Sequence, residues 1–382
     1  MSARPPAPET LAVHAGAGPD PATGALAPPL HLATTFRHGP AGERIAGYQY
    51  QREGNPAQDA LESALAALEG GAAALAFATG MAAVDGLLQS LPPGSHVLLP
   101  RDCYTGLRAL ARDVLPGLGI GTTAVDMTDP EAVRAALRPD TRLLWVETPS
   151  NPCLEVTDIA AVAAIARGHG ALLAVDSTFA TPLLQQPLRL DADVVMHSLT
   201  KYVGGHSDVM GGALVFAAAG DLHARVAHRR HLTGGTLAPF NAWLLLRGLR
   251  SLPARMHWHC RNAMAVARFL AGHPAVSRVL YPGLPDHPGH ATAARQMRDF
   301  GGMLSVRLRG GRDAALALAG ALRLFTNATS LGGTESLVEH RASIEGDAPV
   351  SPADLLRLSV GLEHADDLIA DLDQALASSP GR

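Results

Sequence analysis

The segment HSLTKYVGGHSDVMGGA, His197 to Ala213, places a lysine behind two hydroxyl residues, Ser198 and Thr200, and ahead of a glycine-rich, otherwise polar run. Upstream, ALLAVDSTFATP ends an apolar strand at Asp176, and a second short apolar run, DVVMHS, leads into the hydroxyl residues. Taken singly, a lysine among polar residues is usually a solvated surface group, and a strand-end aspartate is usually a loop or cap residue. The combination in this chain order describes a site. Lys201 reads as a Schiff-base lysine and Asp176 as its charged counterpart.

Each residue type has a chemical reason to be there. A lysine amine becomes an effective nucleophile near neutral pH when burial disfavours its ammonium form. An aspartate about 3 Å from a pyridine nitrogen favours the protonated ring by roughly 6 kcal/mol at an effective dielectric of about 20, which keeps that ring an electron sink. Hydroxyls of Ser198 and Thr200 can donate to phosphate oxygens, and Gly80 and Met81 can offer backbone amides at a helix start. Amine, carboxylate and phosphate donors together point to pyridoxal 5'-phosphate (PLP) as cofactor.

Outward from this stretch the chain alternates. AQDALESALAALE reads as a helix after Pro56, AALAFA as a strand, GMAAVDGLLQSL as a helix and HVLLP as a strand. RLLWVE, ALLAVD, DVVMHS and GALVFA continue as short apolar runs between helical or loop segments. That is the pattern of a mostly parallel sheet covered on both faces, an α/β fold. Residues 1–56 are rich in Pro and Gly and read as an extended arm that wraps a partner. Residues 57–245 are expected to form the large domain, and 246–382, with long helical patterns near 240–275, a smaller C-terminal α+β domain.

Composition bounds the alternatives. With 382 residues, 47% of them hydrophobic, the chain suits two packed cores. Lys and Arg total 31 against 35 acidic residues, with no long basic cluster, so no nucleic-acid or anionic-membrane partner is indicated. MSARPPAPET lacks a signal-peptide core and no uncharged apolar run reaches a membrane span, so a cytoplasmic protein is expected. Cys103, Cys153 and Cys260 have no metal-like spacing, and neither a zinc site nor a disulfide framework is expected. No G-x-G-x-x-G follows a strand pattern, which argues against a nicotinamide dehydrogenase.

The chain resembles the PLP-dependent Cys/Met metabolism (trans-sulfuration) enzymes, the group of cystathionine γ-synthase, γ-lyase, β-lyase and methionine γ-lyase. The likeness runs nearly end to end: TLAVHAGAGPDPATGALAPPLHLATTF, YQREGNP, ATGMAAV, DCYTG, ETPSNPCLEVTDI, VDSTFATP, the Lys201 segment, LRGLRSLPARM, YPGLPDHPGH, FGGMLSV, SLGGTESL and LLRLSVGLE. It implies the fold type I PLP architecture and a cytoplasmic homo-oligomer, a homotetramer built from dimers that share active sites. It also implies sulfur amino acids as substrates, with γ-elimination or γ-replacement on cystathionine or an acylated homoserine. Methionine γ-lyase and cystathionine β-lyase are the alternatives within the family, and a PLP-binding scaffold without turnover is the alternative outside it. Against the scaffold, Lys201, Asp176, Tyr104 and Arg357 are all intact.

The resemblance assigns roles residue by residue. Lys201 carries the cofactor and shuttles protons; Asp176 holds the pyridine nitrogen; Tyr104 stacks on the ring; Asn151 reaches the phenolic oxygen. Tyr50 and Arg52 contact the phosphate in a neighbouring subunit's site, for which a guanidinium is suited. Arg357 grips the substrate's α-carboxylate with help from Ser330. Some positions depart from the family pattern. Thr329 and Gln49 stand where relatives often carry Glu and cannot offer its negative charge to a distal ammonium, so weaker discrimination for cystathionine's distal end is expected, and no cysteine follows Tyr104 as in methionine γ-lyases. Arg108, in YTGLRA, is the candidate partner for a distal carboxylate. Thr79 replaces a serine but keeps the hydroxyl, and VEHRASIEG differs from the common HPASMTH-like form at the pocket mouth.

Overall fold

The computed structural model describes residues 6–16, 18–346 and 349–377; the first five residues of MSARPPAPET lie outside them. The large sheet has seven strands: β1 (Ala73–Phe77), β2 (His96–Pro100), β3 (Gly121–Val125), β4 (Thr141–Glu147), β5 (Leu172–Asp176), β6 (Val194–Ser198) and β7 (Gly212–Phe216). Their spatial order is β1-β7-β6-β5-β4-β2-β3. Only β7 runs antiparallel to its neighbours, pairing with β6 and β1. The remaining ladders are parallel, as the continuous apolar runs require of strands covered on both faces.

Helices α1 (Pro8–His14), α2 (Pro56–Glu69), α3 (Gly80–Leu88), α4 (Thr105–Asp113), α5 (Pro130–Ala135), α6 (Ile159–His169), α7 (Thr181–Leu184) and α8 (Asp221–Thr233) accompany this sheet. The start and stop of α2 follow local chemistry. Pro56 occupies its first turn, the Asn55 side chain accepts from Ala57 N at 3.0 Å, and Gly70 ends it in the left-handed region. Leu61, Leu65 and Leu68 fall on one face and are fully buried, each contributing about 1.5–3 kcal/mol over exposure.

Helix α9 (Pro239–Ala271) leads into the second unit, with β8 (Val276–Leu280), α10 (His290–Gln296), β9 (Met303–Leu308), α11 (Gly311–Ala321), β10 (Thr326–Asn327), β11 (Leu337–Glu339), α12 (Arg341–Ile344), β12 (Leu355–Ser359) and α13 (Ala365–Ala377). The five strands are ordered β10-β11-β12-β9-β8. The division expected at 245/246 falls inside α9, which serves two cores. Its Leu245, Leu249 and Leu252 pack with α2, and its Ala263, Val266 and Leu270 with β9 and α13. One long helix thus fixes the smaller sheet against the larger.

Among the described residues no helix is long and apolar enough to cross a membrane. The arm keeps apolar side chains in solvent: Leu26 is 74%, Leu32 72% and Ile45 61% exposed.

Candidate active site

In open sheets of this kind ligands bind beyond the carboxyl ends of the parallel strands. Here those ends surround one cavity of about 500 Å³. β1 delivers Gly80 and Met81, β2 Tyr104, β4 Glu147 and Asn151, β5 Asp176, and β6 Ser198, Thr200 and Lys201; the smaller unit adds Thr329, Ser330, Arg341 and Arg357.

Lys201 is half-buried, and its Nζ donates to Ser330 Oγ at 3.0 Å. Burial first, and the Arg357 charge second, push its amine down to about 8. Ser330 itself holds φ of 79° in the left-handed region, where a side chain is strained. Asp176 ends β5 with Oδ1 accepting from Thr178 N at 2.9 Å and Thr178 Oγ1 at 2.5 Å. Burial pushes its carboxyl up, opposed by the Thr178 hydrogen bonds. Among the described residues no arginine or lysine forms an ion pair with it.

Glu147 sits opposite Asp176 in the β4–β5 register and is buried. Its Oε2 accepts from Tyr104 N and its Oε1 from Asn151 N, both at 2.9 Å, so one carboxyl ties down the backbone of two site loops. Burial and then the Asp176 charge hold its pKa well above the ordinary carboxylate value.

Helix α3 begins at the cavity wall. Thr79 is its N-cap, accepting from Ala82 N at 3.0 Å through Oγ1, so the hydroxyl retained from the family's serine holds the helix start in place. The N–H groups of Gly80 and Met81 have no acceptor within the helix itself. A Cβ on Gly80 would lie 3.1 Å from Ser198 Oγ, and one on Gly212 would lie 2.3 Å from Thr79 O. Glycine at both places lets the helix start approach β6 and β7. Thr200 Oγ1 is fixed against Gly211, donating to its carbonyl at 3.2 Å and accepting from its N–H at 3.1 Å. An aspartate without an ion pair among the described residues, a desolvated amine and an anion-ready helix start together fit the donors and acceptors of PLP.

Arg357 is 3% exposed, and burial pushes its guanidinium down to about 10. It donates through Nη1 to Asn151 Oδ1 at 3.0 Å and through Nη2 to Ser330 O at 2.9 Å, and pairs with Glu339 Oε2 at 2.6 Å. Arg108 points elsewhere. It is absent from the cavity lining and pairs with Glu345 at 3.0 Å. Gln49, Tyr50 and Arg52 are also away from this cavity: Arg52 Nη1 donates to His231 O at 2.9 Å and its guanidinium lies 5.6 Å from the Tyr50 ring centre. Sequence reading passed over Glu147, Thr178, Glu339 and Arg341. The first two stand inside segments already singled out, ETPSNP and VDST, and the last two inside VEHRASIEG, whose departure from pattern was the available signal.

The family description "Cys/Met metabolism PLP-dependent enzyme" matches residues 9–377. Cystathionine gamma-synthase of Mycobacterium tuberculosis is 52% identical over 97% of this chain and 96% of its own length. Cystathionine gamma-lyase of Bacillus subtilis is 43% identical, over 96% of this chain and 98% of its own. The solved structure of metB from Corynebacterium glutamicum superposes with a TM-score of 0.95 at 45% identity, covering 97% of this chain and 98% of that one. At this identity and coverage, and with the strand-end site in place, the chain belongs to the Cys/Met metabolism family of PLP-dependent enzymes.

Proposed function

We propose that this enzyme binds PLP at Lys201 and catalyses γ-replacement or γ-elimination on an acylated homoserine or cystathionine. The observation that carries this reading is the pairing, in one cavity, of a lysine amine pushed down to about 8 with a half-buried strand-end carboxylate that, among the described residues, forms no ion pair with an arginine or lysine. When bound, the cofactor supplies an electron sink conjugated to the substrate's α carbon. Asp176 would hold the ring nitrogen protonated, Tyr104 would cover the ring, and Asn151 would face its phenolic oxygen. Ser198, Thr200 and the N–H groups of Gly80 and Met81 would hold its phosphate.

Lys201 would then act as base and acid. An amine pushed down to about 8 takes a proton and returns it near neutral pH, as γ chemistry demands at two adjacent carbons. Tyr104, 43% exposed at the cavity, is the second candidate for proton transfer. Arg357 would orient the substrate through its α-carboxylate, with Ser330 placed against both Arg357 and Lys201. Preference for a substrate without a distal ammonium is supported by Thr329, which lines the cavity with a hydroxyl rather than a carboxylate. The likeness to the mycobacterial γ-synthase supports the same direction.

Tyr50 and Arg52 would complete the phosphate site of a second copy, since the arm that carries them lies away from its own chain's cavity and exposes apolar residues. The functional test is a panel of cystathionine, methionine, cysteine, homocysteine and acylated homoserines on the purified holoenzyme, with ketoacid and thiol products quantified. Products of γ chemistry on the homoserine esters or cystathionine are expected. Products of β cleavage alone would reject the γ assignment.

A further inference from the structure

Arg341 is the first residue of α12, is 4% exposed, and lines the same cavity as Lys201 and Arg357. Its Nη1 shares one acceptor with Arg357: Glu339 Oε2 lies 3.0 Å from Arg341 Nη1 and 2.6 Å from Arg357 Nη2. Two guanidiniums therefore hang on a single carboxylate oxygen. Both terminal nitrogens of Arg357 are engaged, with Asn151, Ser330 and Glu339, and among the described residues its Nε has no acceptor. Arg341 has two such buried nitrogens, Nε and Nη2, the latter 3.8 Å from Glu345 Oε1.

Charge points the same way. Arg108, Arg341 and Arg357 form an alternating chain with Glu345 and Glu339, three cations against two anions. One more carboxylate balances it. A buried donor without a partner is costly, and a ligand oxygen that meets it recovers that cost.

We propose that Arg341 is a second carboxylate-binding residue of this pocket, holding the α-carboxylate of an amino-acid substrate together with Arg357. The proposal rests on the reading that the cavity takes an α-amino acid. It also accounts for the departure at VEHRASIEG, because the residue that replaces the family's proline adds buried donors beside those of Arg357.

The test is equilibrium binding to the holoenzyme, followed by the cofactor's absorbance, of L-norleucine and of n-pentylamine, its counterpart without the carboxylate. Arg341→Met leaves Glu339 paired with Arg357 and Glu345 paired with Arg108, so the fold has its remaining ion pairs. The variant should weaken norleucine roughly ten- to hundred-fold and pentylamine by less than about two-fold. Arg341→Lys, which keeps the charge and loses the fork, should fall between. Unchanged norleucine affinity, or equal weakening of both ligands, would overturn the assignment. Arg357→Met in the same assay separates the two levels: a norleucine-selective loss there but not in Arg341→Met rejects Arg341 alone. No selective loss in either variant rejects the amino-acid reading itself.

Discussion

Lys201 Nζ donates to Ser330 Oγ across 3.0 Å, so the amine that follows β6 of the large sheet is held by a residue of the smaller unit. Ser330 in turn gives its carbonyl to Arg357, so the proposed proton-transfer group and the proposed carboxylate grip are neighbours in one hydrogen-bonded set. Motion between the two units would disturb both at once.

The amine's altered acidity predicts how the apoprotein takes up its cofactor. Burial and the Arg357 charge lower the pKa of Lys201, so the neutral nucleophile is already present below the range of an ordinary lysine. With a pKa of about 8, roughly a tenth of the amine is neutral at pH 7, and the fraction saturates within about two units above that. The rate of PLP attachment to apoprotein should therefore rise through pH 8 and level off by about pH 9. A rate still climbing at about pH 10 would show an unperturbed lysine.

Asp176→Asn removes the negative charge that would face the ring while keeping size. Turnover should fall about 10²- to 10³-fold, with weaker retention of PLP on dialysis. Activity within a few-fold of wild type would place the pyridine nitrogen elsewhere.

Shared sites predict rescue. Arg52→Ala and Lys201→Ala subunits should each be inactive in their own homodimers, whereas a hybrid would contain one site with both wild-type residues. Equal mixing after dissociation should restore about a quarter of wild-type sites, because half the dimers are hybrid and half of each hybrid's sites are intact. An active monomer, or no rescue in confirmed hybrids, would remove Arg52 from a neighbour's site.

Substrate choice is read at Thr329. Thr329→Glu supplies an anion for a distal ammonium, and the efficiency ratio for cystathionine over an acylated homoserine should rise about ten-fold. An unchanged ratio in a folded variant with full PLP would take this position out of the specificity account.

What the sequence made legible was local. Asp176, Ser198, Thr200 and Lys201 are close along the chain, at the ends of two apolar strands whose continuity marks a parallel sheet, and their spacing carries the chemistry. The ladder from Arg108 through Glu345, Arg341 and Glu339 to Arg357 was not legible, because it joins segments more than two hundred residues apart and depends on which side chains the β11–β12 register brings together. Glu147 was hidden for a related reason: it accepts two backbone N–H groups, and no side-chain pattern announces that. Arg108, read as a ligand for a substrate carboxylate, found a carboxylate within the protein instead.

The central claim is that Lys201 carries the cofactor, and borohydride reduction of the holoenzyme tests it most directly. The wild-type protein should be yellow, and reduction followed by digestion should leave the pyridoxyl group on the peptide containing His197–Tyr202. Lys201→Ala should lose the visible band, the reducible linkage and turnover together. A Lys201→Ala protein that retains a borohydride-reducible cofactor linkage and full activity would contradict the account.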